Sequence, residues 1–331
     1  MRFGILLDFR NPPGSGISFR ELYADMLHLV DLAEEAGLDS VWLSEHHFTD
    51  DGYLPSLLPV LGAIAARTRR ISLGTFVLLA PLHHPLRLAE DAAVVDVLSQ
   101  GRLRLGLGTA YRDEEFAGFG VPRKERLGRT RETIEILKRA WTGERFDYEG
   151  KHFRLCDVRV LPRPVQTPHP ELLWGGMTPT AIERAAELGL SFACNLGKHE
   201  IALYRDALRR RGKDPADYSV VSSRIVYVAD DAERAWRDIE AAVLYQAEIY
   251  GQWLSAGGTA GDRLGPDAER LRRTSILGSP EEVARRLCET IATNAMTDLV
   301  LVMQLPGLEP AKARRSLERF ASDVLPHVRQ G

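Results

Sequence analysis

Cysteine is scarce in this chain, and its spacing suits neither a disulfide framework nor a zinc site. The 331 residues contain only Cys156, Cys194 and Cys288, an odd number with no CxxC pair among them. No HExxH motif is present either, so the sequence predicts no bound metal. So few, widely spaced thiols favour a reducing cytoplasm.

A strong excess of either charge is also missing. The chain has 43 Lys and Arg residues against 46 Asp and Glu residues, which argues against nucleic acid and against an anionic membrane surface as partners. No segment approaches the roughly 18 apolar residues that a membrane-spanning helix needs, and the first apolar run soon meets Asp8 and Arg10. We therefore expect a cytoplasmic protein that acts on a small molecule.

What the sequence does contain is one pattern repeated eight times, a short apolar strand followed by an amphipathic helix. Several helices end at glycine, as at Gly37 and Gly189. Strands that are apolar on both faces belong in a covered parallel sheet, and eight of them predict one closed (β/α)8 barrel domain spanning residues 1–331. The predicted strands cover residues 3–8, 40–45, 71–78, 102–108, 171–176, 191–195, 219–228 and 298–303.

Two segments interrupt the repeat. Residues 142–162 alternate apolar and polar side chains around Gly150, which predicts an inserted β-hairpin. Residues 251–275 are rich in glycine and polar residues, and in a barrel enzyme such an insertion commonly covers the mouth. The alternative for this second segment is a surface loop without a role.

Two adjacent histidines stand at the end of the second predicted strand, in the stretch DSVWLSEHHFTDDG at residues 39–52. The carboxyl ends of barrel strands carry the active site, so both residues are candidates. Neighbours on a strand face opposite ways. We therefore expect His46 to face the cavity with Trp42 and Ser44, and His47 to be a structural hydrogen bonder on the side of Glu45.

A glycine-rich turn follows the fifth predicted strand, in LWGGMTPTAIERAAELG at residues 173–189. The backbone N–H groups of a helix start, exposed by Gly175 and Gly176 and assisted by the Thr178 hydroxyl, suit a phosphate. A tight turn capped by Thr178 would need the same residues, so the pattern leaves both interpretations open.

Several separated motifs together resemble the bacterial luciferase-like monooxygenases, flavin-dependent enzymes with a (β/α)8 barrel. They are VWLSEHHF, GTFVLLAPLHHPLRLAEDAAVVDVLSQGRLRLGLG, WGGMTP and ILGSPEEVARRL, in that order. The resemblance implies that reduced FMN from a separate flavin reductase reacts with O2 to give a flavin C4a-hydroperoxide. That species would oxidise a small, partly apolar substrate. The EHHF form is similar to the FMN branch, whereas members that use the deazaflavin F420 more often have SDH there.

The resemblance also implies roles for particular residues. His46 would move a proton near the flavin, with Glu45 and His47 orienting it. The family's non-proline cis peptide would fall between Phe76 and Val77. The remaining implied flavin contacts are Gly108, Thr109 and Tyr111 beside the ring, and Arg126 (in preference to Arg129), Gly175, Gly176, Met177 and Thr178 at the phosphate end. Luciferases proper have a reactive cysteine where this chain has Gly108, which puts light emission in doubt.

Two other functions remain open at this point. An F420-dependent reductase or dehydrogenase would use the same barrel and His46, and a non-catalytic flavin-binding protein would need only the fold.

Aromatic residues near the mouth suggest either an apolar substrate or a packed lid, namely Phe48, Tyr111, Tyr250 and Trp253. The segment LLPVLGAIAART at residues 57–68 is apolar on more than one side, which favours a homodimer through this helix.

Overall fold

Eight parallel strands close into a barrel, as the sequence predicts. The computed structural model describes residues 1–193, 195, 197–256 and 265–330. Each barrel strand pairs in parallel with the next, and the last pairs with the first. In order around the barrel the strands are β1 (Arg2–Leu7), β2 (Ser40–Leu43), β3 (Ser72–Thr75), β5 (Leu103–Gly108), β8 (Glu171–Gly175), β9 (Ser191–Ala193), β10 (Val220–Val228) and β12 (Asp298–Val302).

Alternation along the strands separates two apolar layers. On β1, Phe3, Ile5 and Leu7 belong to the large core between the sheet and the helices. A smaller cluster from several strands fills the barrel interior, where it contacts Leu6; its buried members are Trp42, Leu173, Ala193, Val221 and Val300. Because both faces of the strands are buried, most of their side chains are apolar.

The helices surround the barrel. Gly37 and Gly189 have positive φ angles of 81° and 63° where helices α1 and α6 end, as the sequence predicts. The helices are α1 (Phe19–Glu35), α2 (Leu57–Arg67), α3 (Pro85–Ser99), α4 (Asp113–Gly118), α5 (Arg126–Ala140), α6 (Pro179–Leu188), α7 (Lys198–Arg209), α8 (Ala232–Ala256), α9 (Ala268–Thr274), α10 (Pro280–Thr293), α11 (Pro310–Arg319) and α12 (Leu325–Gln330).

Four short strands supplement the barrel. The strands β6 (Phe146–Glu149) and β7 (Arg154–Val158) form an antiparallel pair within the segment where the sequence predicts a hairpin. The strand β4 (Leu78–Leu79) pairs with β5, and β11 (Ile276–Gly278), which the sequence pattern did not reveal, pairs in parallel with the last residues of β10. Of the predicted lid at 251–275, residues 257–264 lie outside the described residues, while α8 and α9 contain much of the rest.

Within the described ranges, no helix is both long and apolar enough to cross a bilayer. The same residues include no group of three or more His, Cys, Asp or Glu side chains arranged to hold a metal ion. Cys156 and Cys288 are free and exposed, and Cys194 lies outside the described residues.

Candidate active site

The paired histidines lie just beyond the end of β2. The strand stops at Leu43, two residues earlier than the sequence predicts, and residues 44–47 continue as a buried, irregular segment. His46 is 5% exposed and His47 is 7% exposed. The two side chains have different neighbours, but strand alternation does not cause this, because neither residue belongs to a strand.

His46 is hydrogen bonded at both ring nitrogens. Its Nδ1 lies 2.8 Å from Glu115 Oε1, and its Nε2 lies 3.2 Å from the Tyr111 hydroxyl. Since a carboxylate only accepts hydrogen bonds, Nδ1 carries the proton and Nε2 accepts from Tyr111. The imidazole ring also packs against Tyr53 and Trp253, with ring centroids 4.9 and 4.8 Å away.

Burial favours the uncharged form of this imidazole. Desolvation lowers the pKa of His46 below its ordinary value, and it outweighs the hydrogen bond and charge of Glu115, which act in the opposite direction. A neutral histidine with Nε2 available as an acceptor can take a proton from a group at the barrel mouth and return it.

The predicted support of His46 by Glu45 and His47 needs correction. Glu45 Oε1 instead accepts from Nε2 of His47 and from Nε2 of His83, each at 2.8 Å, and Glu45 Oε2 accepts from the backbone N–H of Leu79 at 2.7 Å. Burial opposes ionisation of Glu45, but the two imidazoles lower its pKa to about 2. Glu45 therefore links the end of β2 to β4, and Glu115 orients His46.

Glu115 is the residue that sequence reasoning missed. It is fully buried in α4, and its Oε1 also accepts from the backbone N–H of His47 at 3.0 Å. Arg112 Nη1 lies 3.4 Å from the same oxygen and donates to the His47 carbonyl at 2.7 Å. A weak signal was present, because the acidic run DEE at residues 113–115 lies in the loop region shortly after a predicted barrel strand.

The segment after β3 forms the floor of the mouth. The Phe76–Val77 peptide bond is cis, at the position that the resemblance implies. A Cβ added to Gly108 would come within 2.5 Å of the Val77 side chain, and one added to Gly175 within 2.7 Å. Glycine is therefore required at both positions while Val77 keeps its place, so a cysteine does not fit at Gly108.

The helix start after β8 is capped from within the chain. Thr178 is the N-cap of α6, and its Oγ1 accepts from the backbone N–H of Ala181 at 3.2 Å. Gly176 is half-buried and Met177 is half exposed. The turn is thus structurally satisfied, and it also presents N–H groups of the first helical turn outward.

The two arginines of α5 have different surroundings. Arg129 donates to the Pro81 carbonyl at 3.2 Å and stacks on Phe153, so it holds the loop after β4. The guanidinium of Arg126 makes no hydrogen bond to another described side chain, and its charge, after burial and Arg131, helps to lower the pKa of Arg184 in α6. Arg126 is therefore the arginine available to an anion near this helix start.

The aromatic residues of the mouth divide into two groups. Tyr111, Tyr250 and Trp253 surround His46, with ring centroids 5.4, 6.2 and 4.8 Å from the imidazole. Phe48 is 60% exposed and contacts Phe119 instead. Thr109 follows β5 directly and is half-buried.

The fold and this mouth define a (β/α)8 barrel enzyme with a buried histidine at the carboxyl end of its strands. The family model for luciferase-like monooxygenases matches residues 1–297, and the chain belongs to that family.

Relatives of this chain include oxygenases and dehydrogenases. The monooxygenase RslO1 from Streptomyces bottropensis is 31% identical, with a TM-score of 0.86 over 99% of each chain. An F420-dependent glucose-6-phosphate dehydrogenase from Beutenbergia cavernae is 31% identical over 92% of this chain and 93% of its own. The oxygenase component of a flavin-dependent trigonelline monooxygenase from Acinetobacter baylyi is 26% identical over 93% and 90%. The chain is therefore an enzyme of the luciferase-like oxidoreductase family.

Proposed function

We propose that the protein is the oxygenase component of a system in which reduced FMN and O2 oxidise a small, partly apolar organic substrate. The observation that carries the proposal is the imidazole of His46, which is buried among aromatic rings and hydrogen bonded at both nitrogens. Such a group can move a proton where water is excluded. The identity of 31% with a monooxygenase along 99% of the chain supports the same reaction class.

The residues present at the mouth fit FMN. Gly108 and Gly175 leave room for the side chain of Val77, which would support the flavin ring, and Thr109 and Tyr111, which follow Gly108 in the chain, would lie beside that ring. The N–H groups around Gly176, Met177 and Thr178, together with Arg126, would hold the phosphate. Reduced FMN, supplied by a separate reductase, would provide the electrons that activate O2.

The chain's own groups would then control protons and water. Nε2 of His46 can take the proton that the reaction releases, while Glu115 holds the ring by Nδ1 and stabilises the imidazolium that forms. Tyr111 would relay the proton between His46 and the mouth. The aromatic side chains of Tyr250 and Trp253 keep bulk water from this place.

An F420-dependent dehydrogenase is the second candidate, since F420-dependent relatives match nearly the whole chain. Glucose 6-phosphate, the substrate in their names, carries a dianion that needs cationic partners. Both buried arginines near His46 already face carboxylates, Arg10 with Asp51 at 2.7 Å and Arg112 with Glu115 at 3.4 Å. These pairings argue against a dianionic sugar phosphate as the substrate of this chain.

The experiment that tests the proposal offers the two reduced cofactors in parallel. The purified protein is mixed with FMNH2 or with F420H2 in the presence of O2, and the absorbance of the cofactor is followed. We expect tight binding of FMNH2 and an altered rate of its oxidation. Binding and turnover of F420H2 alone would replace the oxygenase by the dehydrogenase, and binding of FMN without an effect on its oxidation would indicate a non-catalytic flavoprotein.

The phosphate assignment makes a separate prediction about affinity. Thr178→Ala combined with Arg126→Ala should weaken FMN binding by about tenfold or more, because a charge-assisted contact and a helix cap are lost together. Riboflavin, which lacks the phosphate, should lose little affinity. Fluorescence titration of both ligands measures the difference, with Arg131→Ala as a control on the exposed side of α5. Equal losses for FMN and riboflavin would remove the phosphate assignment.

The outer faces of α2 and α3 form an apolar surface that we propose as a homodimer interface. On α3, Val94, Val97 and Leu98 are 43%, 39% and 53% exposed, and they lie beside the apolar helix α2. We expect a dimer by light scattering at micromolar concentration and a monomer after Val94→Glu with Leu98→Glu. A monomeric unmodified protein would reject this interface.

A further inference from the structure

The indole ring of Trp253 packs against the imidazole of the candidate catalytic histidine, with an angle of 54° between the two ring planes. Its centroid lies 4.8 Å from that of His46 and 4.3 Å from the guanidinium carbon of Arg112. The guanidinium carbon of Arg10 lies 5.8 Å away on another side. His46, Arg112 and Arg10, which follow β2, β5 and β1, thus surround one aromatic ring. The space between them has the size and shape of a planar ring.

The two arginines around this ring have donors that the chain does not satisfy. Nη1 and Nη2 of Arg10 and Nε of Arg112 are buried and have no hydrogen-bond acceptor among the described residues. Arg10 is only 2% exposed and Arg112 only 6%. Buried donors without acceptors cost free energy, and an indole offers its N–H as a donor but no acceptor. Trp253 therefore matches the shape of the site and not its hydrogen bonding.

The charged side chains near the Trp253 ring are compatible with a ligand whose oxygen carries a negative charge. Arg10 Nε donates to Asp51 Oδ2 at 2.7 Å, and Asp8, whose pKa burial raises to about 6, lies beside the same guanidinium. Asp8 can give up its charge by taking a proton when another anionic oxygen approaches Arg10. A neutral acceptor oxygen needs no such change, so the arginine donors suit either form.

Polar contacts hold the end of α8 over the site. The Tyr245 hydroxyl donates to Asp51 Oδ2 at 3.0 Å, and the hydroxyls of Tyr250 and Tyr53 are 2.8 Å apart. Leu254 and Ala247 are buried as well, and Tyr250 and Trp253 pack against the main hydrophobic core, so apolar contacts add to these hydrogen bonds. A ligand that takes the place of the indole must therefore supply apolar contacts and hydrogen bonds that replace those of Trp253.

We propose that Trp253 stands in the place of the substrate ring, and that the substrate is an aromatic compound whose ring carries an acceptor oxygen bound by Arg10 and Arg112. The ligand would satisfy the arginine donors and bring its ring against His46. The reaction assigned to this ligand rests on the proposed function, whereas its binding does not.

Binding of three small probes tests the ligand class. Naphthoate has the ring and the oxygens, naphthalene has the ring alone, and cyclohexanecarboxylate has the oxygens without an aromatic ring. We expect calorimetry to show naphthoate binding about 10- to 100-fold more tightly than either of the others, the range of one charge-assisted hydrogen bond. Naphthalene binding as tightly as naphthoate, or no binding of naphthoate, would overturn the proposal.

The effect of Trp253→Ala on ligand affinity distinguishes two roles of the indole, which either occupies the place of the ligand ring or stacks on the bound ligand. Trp253→Ala should raise the affinity for naphthoate severalfold, because the chain's own competitor is removed, whereas loss of a stacking partner would lower it. Arg10→Lys and Arg112→Lys should each lower affinity about tenfold, since lysine lacks the forked donors. Arg139→Lys is the matched control, an arginine 5.3 Å above the ring of Tyr148 on the hairpin side.

Further outcomes complete the test. A lower or unchanged affinity in Trp253→Ala, or unchanged affinities in both arginine variants, would overturn the proposal; melting temperatures show that each variant is folded. FMN binding is titrated in parallel with every probe. Retention of FMN binding without naphthoate binding would reject the ligand class alone, whereas naphthoate binding without any flavin binding would reject the oxygenase and leave the aromatic site.

Discussion

His46→Ala is expected to lower turnover by about 10²-fold or more, the contribution of a positioned acid or base. Folding and FMN affinity should change little for two reasons. Glu115 keeps the His47 backbone N–H and Arg112 as partners, so its buried carboxylate still has hydrogen-bond donors. The proposed phosphate site follows β8, three strands away from β2 around the barrel. Oxygen-dependent flavin turnover, FMN titration and melting temperature measure the three properties together.

His47→Ala is the matched control for this prediction. It removes a buried hydrogen bond to Glu45, so it should lower the free energy of unfolding by about 1 to 3 kcal/mol and affect turnover less. Loss of activity in His47→Ala with loss of stability in His46→Ala would reverse the two roles. If neither variant affected turnover, the catalytic assignment to this segment would be wrong.

Arg104→Met is expected to cause the largest loss of stability, about 3 kcal/mol or more. The guanidinium lies at the base of the barrel, where Nε contacts Glu171 and Nη1 contacts Asp298, each at 2.6 Å, and it stacks on Trp42. Asp298 is 1% exposed, so removing its strongest partner leaves a buried carboxylate poorly compensated. Urea denaturation should show a lower midpoint, with FMN affinity retained because the mouth is at the other end.

The pH dependence of this cluster has a definite sign. Burial opposes ionisation of Asp298, but Arg104 outweighs it and lowers the pKa of that carboxyl. The stabilisation is therefore complete above the ordinary aspartate pKa of about 3.9 and is lost as pH falls below it. Arg104→Met should flatten the acid side of the stability profile.

An exposed arginine provides the comparison for this loss. Arg87→Met on α3 removes an ion pair with Asp91 from a side chain that is 72% exposed. The expected cost is below about 0.5 kcal/mol, because water screens exposed pairs. Similar losses for Arg87→Met and Arg104→Met would contradict the role given to the buried cluster.

The boundaries of β2 show where sequence reasoning about the site became inexact. The alternation of SVWLSEHH predicts a strand through Glu45, yet pairing with β1 and β3 ends at Leu43. The side chain of Glu45 instead accepts a hydrogen bond from the backbone N–H of Leu79 in β4. This contact joins residues 34 positions apart in the chain, and the periodicity of one segment contains no information about it.

The sequence by itself determined the barrel, because eight doubly apolar strands and their amphipathic helices have few other ways to bury their surfaces. It also determined that His46 lies at the mouth, since the carboxyl ends of the strands meet there. Only the tertiary structure decided which groups surround His46. Glu115 lies 69 positions from it along the chain, and Trp253 approaches it from α8. Barrel closure brings such distant residues together, and the spacing of residues in the sequence does not predict which side chains then come into contact.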